Sequence, residues 1–277
     1  MKQYQLLWLY ICLIFALPSL AQDDTCPYLE CRYTSQAKSN ALNKNKVDQD
    51  EWALRIAKDC AEFYSVWYRA HQTVIDSVLS KGGTLEDCLA AREKILYPKS
   101  TNSDDIFKNY PEPGILTYVK EIITDHYLYE ETYERPAWQI TTEKKDIMGY
   151  ACQKATAGFR GRTWIAWFTP EVPVMEGPWK LHGLPGLILE AYDAEDDYHY
   201  TCIEIKRLQG EKPIQVPREK YVKCDRKELD KLLSTYKSSI NDYRKLKGAS
   251  LIYQVQSDGT VTANFSQGAV YNPIERE

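Results

Sequence analysis

From Gly114 onward the apolar residues of the chain recur at every second position, and this alternation restricts its fold more than any other feature. Leu116, Tyr118, Lys120 and Ile122 fall on one face of an extended segment, with Ile115, Thr117, Val119 and Glu121 on the other. Tyr127, Tyr129, Glu131 and Tyr133 then alternate with His126, Leu128 and Glu130, which predicts a second strand. Further strands are predicted over Trp138–Thr141, Gly149–Thr156, Arg162–Phe168, Leu187–Tyr192 and Tyr198–Lys206, all rich in the residues that suit a pleated surface. In Arg162–Phe168 both faces are apolar, Trp164, Ala166 and Phe168 against Ile165 and Trp167, so this strand is expected inside a sheet and not at its edge. Parallel strands need long helical crossovers, and no helical pattern separates these segments. The sheet is therefore expected to be mainly antiparallel.

Helical spacing appears on either side of this centre. From Ala61 onward Trp67, Ala70, Val74 and Val78 mark one helix, which Gly82 and Gly83 stop. Thr84 with Asp87 predicts the start of a second, ended by Pro98. Asp225 with Glu228 opens a long amphipathic helix through Leu229, Leu232, Leu233, Tyr236, Ile240 and Tyr243. Between Cys31–Thr34, a short strand, and Asp50 the chain reads as an exposed loop, and Lys99–Pro113 reads as a connection. A terminal hairpin is expected over Ser250–Gln256 and Thr260–Phe265. Strands in the middle and helices at the ends give an α+β fold of one domain over 22–277, with 247–277 as a peripheral tail or hairpin.

Lys2, the apolar run Leu6–Phe15 and the small residues Ser19 and Ala21 fit a signal peptide over 1–21. That run is too short to span a bilayer, and no later segment has the ~20 apolar residues of a transmembrane helix. The product is expected to be periplasmic or secreted after cleavage near Ala21. A formal charge of −4 gives no electrostatic footprint for nucleic acid. Seven of the 8 cysteines lie beyond the leader, which suits an oxidising compartment. Cys26 with Cys31, and Cys60 with Cys88, are expected as disulfides. Four scattered histidines and no C-x₂-C knuckle argue against zinc.

The segment Gly177-Pro178-Trp179-Lys180-Leu181-His182-Gly183-Leu184-Pro185-Gly186-Leu187-Ile188 resembles the signature of the GLPGLI family of Bacteroidota envelope proteins. The likeness extends back through Trp138-Gln139-Ile140, Lys145 to Ala155, Phe159-Arg160-Gly161-Arg162 and Ala166 to Pro173, and Leu54-Arg55-Ile56 and Phe63-Tyr64-Ser65 resemble its earlier landmarks. The resemblance implies a signal-bearing, strand-rich envelope protein, and it carries no catalytic residue with it. The strand-rich centre is also similar to the curved half-barrel sheets of lipoprotein-carrier-like periplasmic proteins, which implies a curved sheet.

Within the motif, Pro185 and Gly186 have the chemistry of positions i+1 and i+2 of a type II turn. One reading makes the segment a rigid turn plugged into the core by Trp179, Leu181 and Leu184. The other makes it a lid whose Trp179 and His182 face a ligand. Arg160 and Arg162 flank Gly161 and could clamp a carboxylate or phosphate, or else pair on a hairpin or stack on Trp164. Trp164 and Trp167 are the aromatic ligand candidates among 7 Trp and 21 Tyr. Asp193, Glu195, Asp196 and Asp197 are dense enough for calcium, but the glycine and terminal glutamate of an EF-hand loop are missing, so a solvated turn is expected. Neither G-x-S-x-G nor H-E-x-x-H occurs. No cofactor or metal is indicated. The sequence thus points to a non-enzymatic binder of an apolar or amphiphilic ligand, or of an envelope partner, on the curved sheet. The rival reading is a carboxylate-dependent hydrolase of glycans or peptides, which needs two acids in one cleft. A third is an interaction module presenting a flat apolar patch.

Overall fold

A computed structural model describes residues 24–123, 125–217, 221–246, 254–255, 261–262 and 270–276. The expected signal peptide lies outside them. In chain order the strands are β1 (Leu29–Ala37), β2 (Asp48–Ile56), β3 (Ala61–Ser65), β4 (Asp105–Lys108), β5 (Ile115–Ile122), β6 (Asp125–Thr132), β7 (Gln139–Ile147), β8 (Tyr150–Phe159), β9 (Arg162–Thr169), β10 (Leu187–Asp193), β11 (Tyr198–Arg207) and β12 (Val222–Lys223). They form one open sheet of 12 strands in the order β12-β6-β5-β4-β3-β2-β1-β11-β10-β9-β8-β7. Every pairing is antiparallel except β12 on β6. The helices are α1 (Val66–Leu79), α2 (Leu85–Arg92), α3 (Arg226–Ser238) and α4 (Ile240–Leu246).

The period-two segments all become strands, and β9 is an interior strand as its two apolar faces require. The differences in strand assignment lie before Gly114. The expected loop to Asp50 contains the end of β1 and the start of β2, and the helix expected from Ala61 starts only at Val66. Ala61–Ser65 is β3, because Phe63 and Ser65 must face the sheet's buried side, and Ser65 accepts from the Tyr68 amide to cap α1. Asp105–Lys108, expected within a connection, is β4 between β3 and β5. Capping boxes start α2 and α3 as predicted, with Thr84 and Asp87, and Asp225 and Glu228. Ser239, in extended backbone, divides the long C-terminal helix into α3 and α4. The terminal hairpin is described only as a two-residue ladder, β13 (Gln254–Val255) on β14 (Val261–Thr262).

The register fixes which side chains share a face. Ala155 pairs with Ala166, Ala166 with Ala191, Ala191 with Tyr200, Tyr200 with Ser35, and Ser35 with Asp50. Trp164, Tyr33, Trp52, Phe63, Ile106 and Tyr118 follow on the same face by alternation, and they build the largest apolar cluster. Trp52 stacks on Phe63 at 5.0 Å, and Tyr200 meets Phe63 edge-on at 6.0 Å.

The expected disulfides are not formed. Cys26 and Cys31 are not joined, because the Cys31 side chain points into the main core while Cys26 precedes β1. Cys60 sits in the β2–β3 turn, packed with Phe107 and Ile214, and is not joined to Cys88 on α2.

Candidate functional site

A cavity of about 530 Å³ opens on the buried face of the sheet. Its floor is Trp52, Phe63 and Ile106 with Tyr200 from β11, and Trp179 and Ile274 close one side. The β1–β2 loop, the 99–104 loop and the α3 residues Leu233 and Lys237 form its walls. Alternation explains the floor, since each strand sends every second side chain to this face. The walls are held by buried polar contacts. Asp50 accepts from the Ser65, Ser100 and Asn102 side chains at 3.0, 2.6 and 2.7 Å, which ties the 99–104 loop to β2. Burial raises the Asp50 carboxyl above its ordinary range against the lowering effect of these donors.

Two carboxylates line the cavity, and both are engaged. Asp104 accepts from the Tyr118 hydroxyl and from Lys120 at 2.9 Å. Asp48 accepts from the Ser39 hydroxyl and lies 3.8 Å from Lys46. Lys237 on α3 belongs to the same wall, and burial together with neighbouring Lys120 lowers its ammonium from the ordinary lysine value against the opposing pull of Asp48 and Asp104.

Of the residues singled out in the sequence, only Trp179 reaches this cavity. Trp164 is fully buried against Trp179, with ring centroids 5.3 Å apart. Trp167 faces the opposite side of the sheet, under the Lys145 ammonium at 4.5 Å. His182 stacks on Tyr133 with centroids 3.7 Å apart, and burial, reinforced by Lys108 and Arg135 against Glu176, holds its imidazole at a pKa of about 4. Gly177, Pro178, Leu184, Leu187 and Ile188 are packed around this segment, with Leu181 and Leu184 fully buried. The expected type II turn is absent at Pro185-Gly186. The Gly186 amide closes a tighter turn onto the Leu184 carbonyl, because the Leu187 amide that a type II turn needs is bonded to Val172. Gly183, at φ +88°, leaves room for the Arg135 side chain.

Arg160 and Arg162 do not present a clamp to solvent. Arg162 is buried and donates to Asp193 at 2.6 Å, to Asn272 Oδ1 at 3.0 Å and to the Ile274 carbonyl at 2.9 Å, with its guanidinium 4.7 Å over Tyr198. Arg160 pairs with Glu131 and Glu134, both at 3.2 Å. What they grip is the chain's own C-terminal segment, 271–276, whose Arg276 lies against Gly161. This segment, expected as a peripheral tail, supplies Tyr271 and Ile274 to the cavity wall. The acidic turn is solvated at its tip, where Glu195 and Asp196 are exposed, and not at its base. Asp193 and Asp197 are buried, and the oxygens of Asp193, Glu195 and Asp197 come within 4.8 Å of one another. Arg162, Arg276 and Lys44 neutralise them at 2.6 to 2.9 Å, so the three carboxylates already face three cations.

Sequence reasoning missed Ser35, Trp52, Phe63, Tyr118, Lys120, Tyr200 and Lys237 as cavity residues. The available signal was Lys120, a cation in the apolar row of Leu116, Tyr118 and Ile122.

Residues 160–190 match a family model described as a protein of unknown function, Porph_ging. The match contains the Gly177-to-Ile188 segment. Among solved structures, two crystal forms of PNGF-II, in space groups P21 and C2, are similar at TM-scores of 0.49 and 0.47 and 12% identity. Each alignment covers 77% of this chain and 34% of the other, so this chain spans about a third of those proteins. No curated protein matches the sequence.

Proposed function

We propose that this chain is a GLPGLI-type protein of the cell envelope, exported after cleavage near Ala21, that binds one amphiphilic small molecule in the cavity on the buried face of a curved sheet. The observation that carries this reading is the cavity itself. Its 530 Å³ falls within the ~300–1,000 Å³ of small-molecule sites, and it joins an aromatic floor to a polar wall. A binding role is favoured over hydrolysis because the two lining carboxylates are both committed, Asp104 to Lys120 and Tyr118, Asp48 to Ser39 and Lys46. Hydrolysis by an acid pair needs one carboxyl free to protonate a leaving group and a second free to attack or activate water.

Curvature of the sheet is supported by the reach of the 170–186 segment. Lys180 bonds Glu131 and Tyr129 on β6, seven strand steps from β10 in the sheet order. Flat, that separation is roughly 34 Å at about 4.8 Å per step. The seven residue steps from Lys180 to Leu187 span at most about 23 Å of backbone when fully extended, the Lys180 side chain adds to that reach, and the turn that bonds the Gly186 amide to the Leu184 carbonyl shortens it, so the contact is met more readily on a curved sheet.

The test is native mass spectrometry of the full chain, purified gently from its own envelope fraction and compared with Ala37→Phe, which places a ring at the cavity wall. The wild type is expected to carry one small molecule per chain and the variant none. A wild-type chain that stays bare after incubation with an extract of envelope lipids would refute the proposal.

A further inference from the structure

We propose that the ligand carries an anionic group and that Lys237, with Lys120 beside it, receives that group at the α3 wall of the cavity. This rests on the reading of the cavity as a ligand site and adds the charge of what it holds.

The charge of the lining runs against that of the chain. The whole sequence has 35 basic and 39 acidic residues, whereas among the described residues the cavity is lined by Lys46, Lys99, Lys120 and Lys237 against Asp48 and Asp104. Both acids are already bonded, Asp104 to Lys120 at 2.9 Å and to Tyr118, Asp48 to Ser39. Lys237 has no hydrogen bond or ion pair among the described residues, although it lies among these groups.

Its place on the helix makes this an unusual lysine. Leu229, Leu233 and Lys237 follow one another at spacings of four, so they share one stripe of α3. Leu229 and Leu233 use that stripe to pack on Ile122, Tyr127 and Tyr129. Lys237 therefore continues the inward face of α3. A cation near the C-terminus of a helix is favourable on any face, so the helix dipole does not explain this position. Lys237 is half-buried, so its ammonium is partly removed from water, and Asp48 and Asp104 act on it only at a distance; an anion entering the cavity would supply the direct acceptor it lacks. The stacked rings of Trp52 and Phe63 would take the apolar part of the same molecule. The chemistry is that of a small amphiphilic anion, a carboxylate, sulfonate or phosphate ester on an aromatic or aliphatic body.

The test uses two probes with the same ring system, anionic anilinonaphthalene sulfonate and neutral N-phenylnaphthylamine, titrated by fluorescence into the folded full chain, Lys237→Gln and Lys237→Arg. The sulfonate is expected to bind at one site about ten-fold tighter than the neutral probe, as one charge-assisted contact implies. Lys237→Gln is expected to abolish that preference, bringing the sulfonate's affinity down to that of the neutral probe for the same variant, and Lys237→Arg to retain it. Equal affinity of the wild type for both probes, or a sulfonate affinity unaffected by Lys237→Gln, overturns the inference while the cavity stands. Failure of both probes to bind the wild type removes the cavity reading, and this inference with it.

Discussion

Replacing Gly186 with alanine tests whether the packing of the motif segment, rather than a ligand, dictates its sequence. A Cβ at Gly186 would lie 2.1 Å from the Thr169 carbonyl oxygen, 2.6 Å from its carbon and 2.9 Å from Pro170 Cα. Ordinary contact begins near 3.4 Å, and all three atoms are backbone, so no side-chain rotation relieves the overlap. Thr169 is fully buried and paired with Leu187, so making room means parting the start of β10 from the end of β9. Such a shift costs about 1–3 kcal/mol, and the φ of +149° adds about 1–2 kcal/mol for an L side chain. The expected loss is about 3 kcal/mol, a Tm drop of about 6–12 °C for a domain of this size. Gly149→Ala is the control. Gly149 also has a positive φ, +82°, but nothing lies within 4 Å of its added Cβ, so only the backbone cost of about 1 kcal/mol applies, or about 2–4 °C. Thermal unfolding followed by circular dichroism measures both variants. Equal drops would show that the contact with Thr169 does not constrain the segment, and the reasoning would fail.

Deleting residues 270–277 is expected to cost about 3–5 kcal/mol, read as a lower urea midpoint, because buried Arg162 loses Asn272 and two carbonyls and buried Lys180 loses Glu275; an unchanged midpoint refutes the docking role of the segment. His182 binds a proton only near pH 4 when folded but near 6.5 when unfolded, so its contribution to stability is complete above about pH 6.5 and is lost as pH falls toward 4. His182→Gln should remove up to about 3 kcal/mol of that dependence, and parallel stability curves for variant and wild type would contradict it. Asp230 acts in the opposite sense. Burial raises its pKa to about 6, so stability falls as pH rises from about 4 through 6, and Asp230→Asn should flatten that fall in the same denaturation series. Cys31, Cys152 and Cys202 are buried, and burial pushes the Cys152 and Cys202 thiols up to about 11 and about 12. Alkylation mapped by mass spectrometry should label them only in denaturant, and a denatured, unreduced chain whose Cys26 and Cys31 resist alkylation until reductant is added would contradict the unbridged arrangement.

The half of the fold after Gly114 was legible because its strands alternate and are joined without helices. Before Gly114 the signal failed for a specific reason. In β2, Asp48 and Asp50 occupy buried-side positions that normally carry apolar residues, so Asp48–Ile56 reads as polar chain until Trp52. The partners of Asp50, the Glu51 amide and the side chains of Ser65, Ser100 and Asn102, make its burial tolerable, and two of them come from a loop about fifty residues away in sequence. Ala61–Ser65 failed in a similar way, because five residues followed directly by a helix carry too little alternation to be separated from it. The cavity was invisible for a topological reason. Its floor draws one or two residues from each of several strands, and the sequence cannot say that β11 lies beside β1.

Apart from Trp179, the side chains and carbonyls of Gly177 to Ile188 make their contacts away from the cavity. Gly177 offers its carbonyl to buried Lys108 at 2.7 Å, and a Cβ there would lie 2.8 Å from the Ile188 side chain. Lys180 reaches Tyr129 and Glu131 on β6, and the His182 carbonyl accepts from the Trp138 indole at 2.8 Å. Ile188 gives its carbonyl to the Tyr33 hydroxyl at 2.7 Å. Each contact joins the β9–β10 connection to a different strand or to the β6–β7 link, so the segment clasps together strands that are far apart in the sheet order. Trp179 alone among these residues turns toward the cavity, at a φ of +51° that bulky side chains rarely adopt. That division separates two kinds of constraint on one segment. Substitutions at Gly177, Lys180 and Gly186 should change stability, whereas Trp179→Phe, which keeps an aromatic ring in the wall while altering its shape, should change probe affinity by more than it changes Tm.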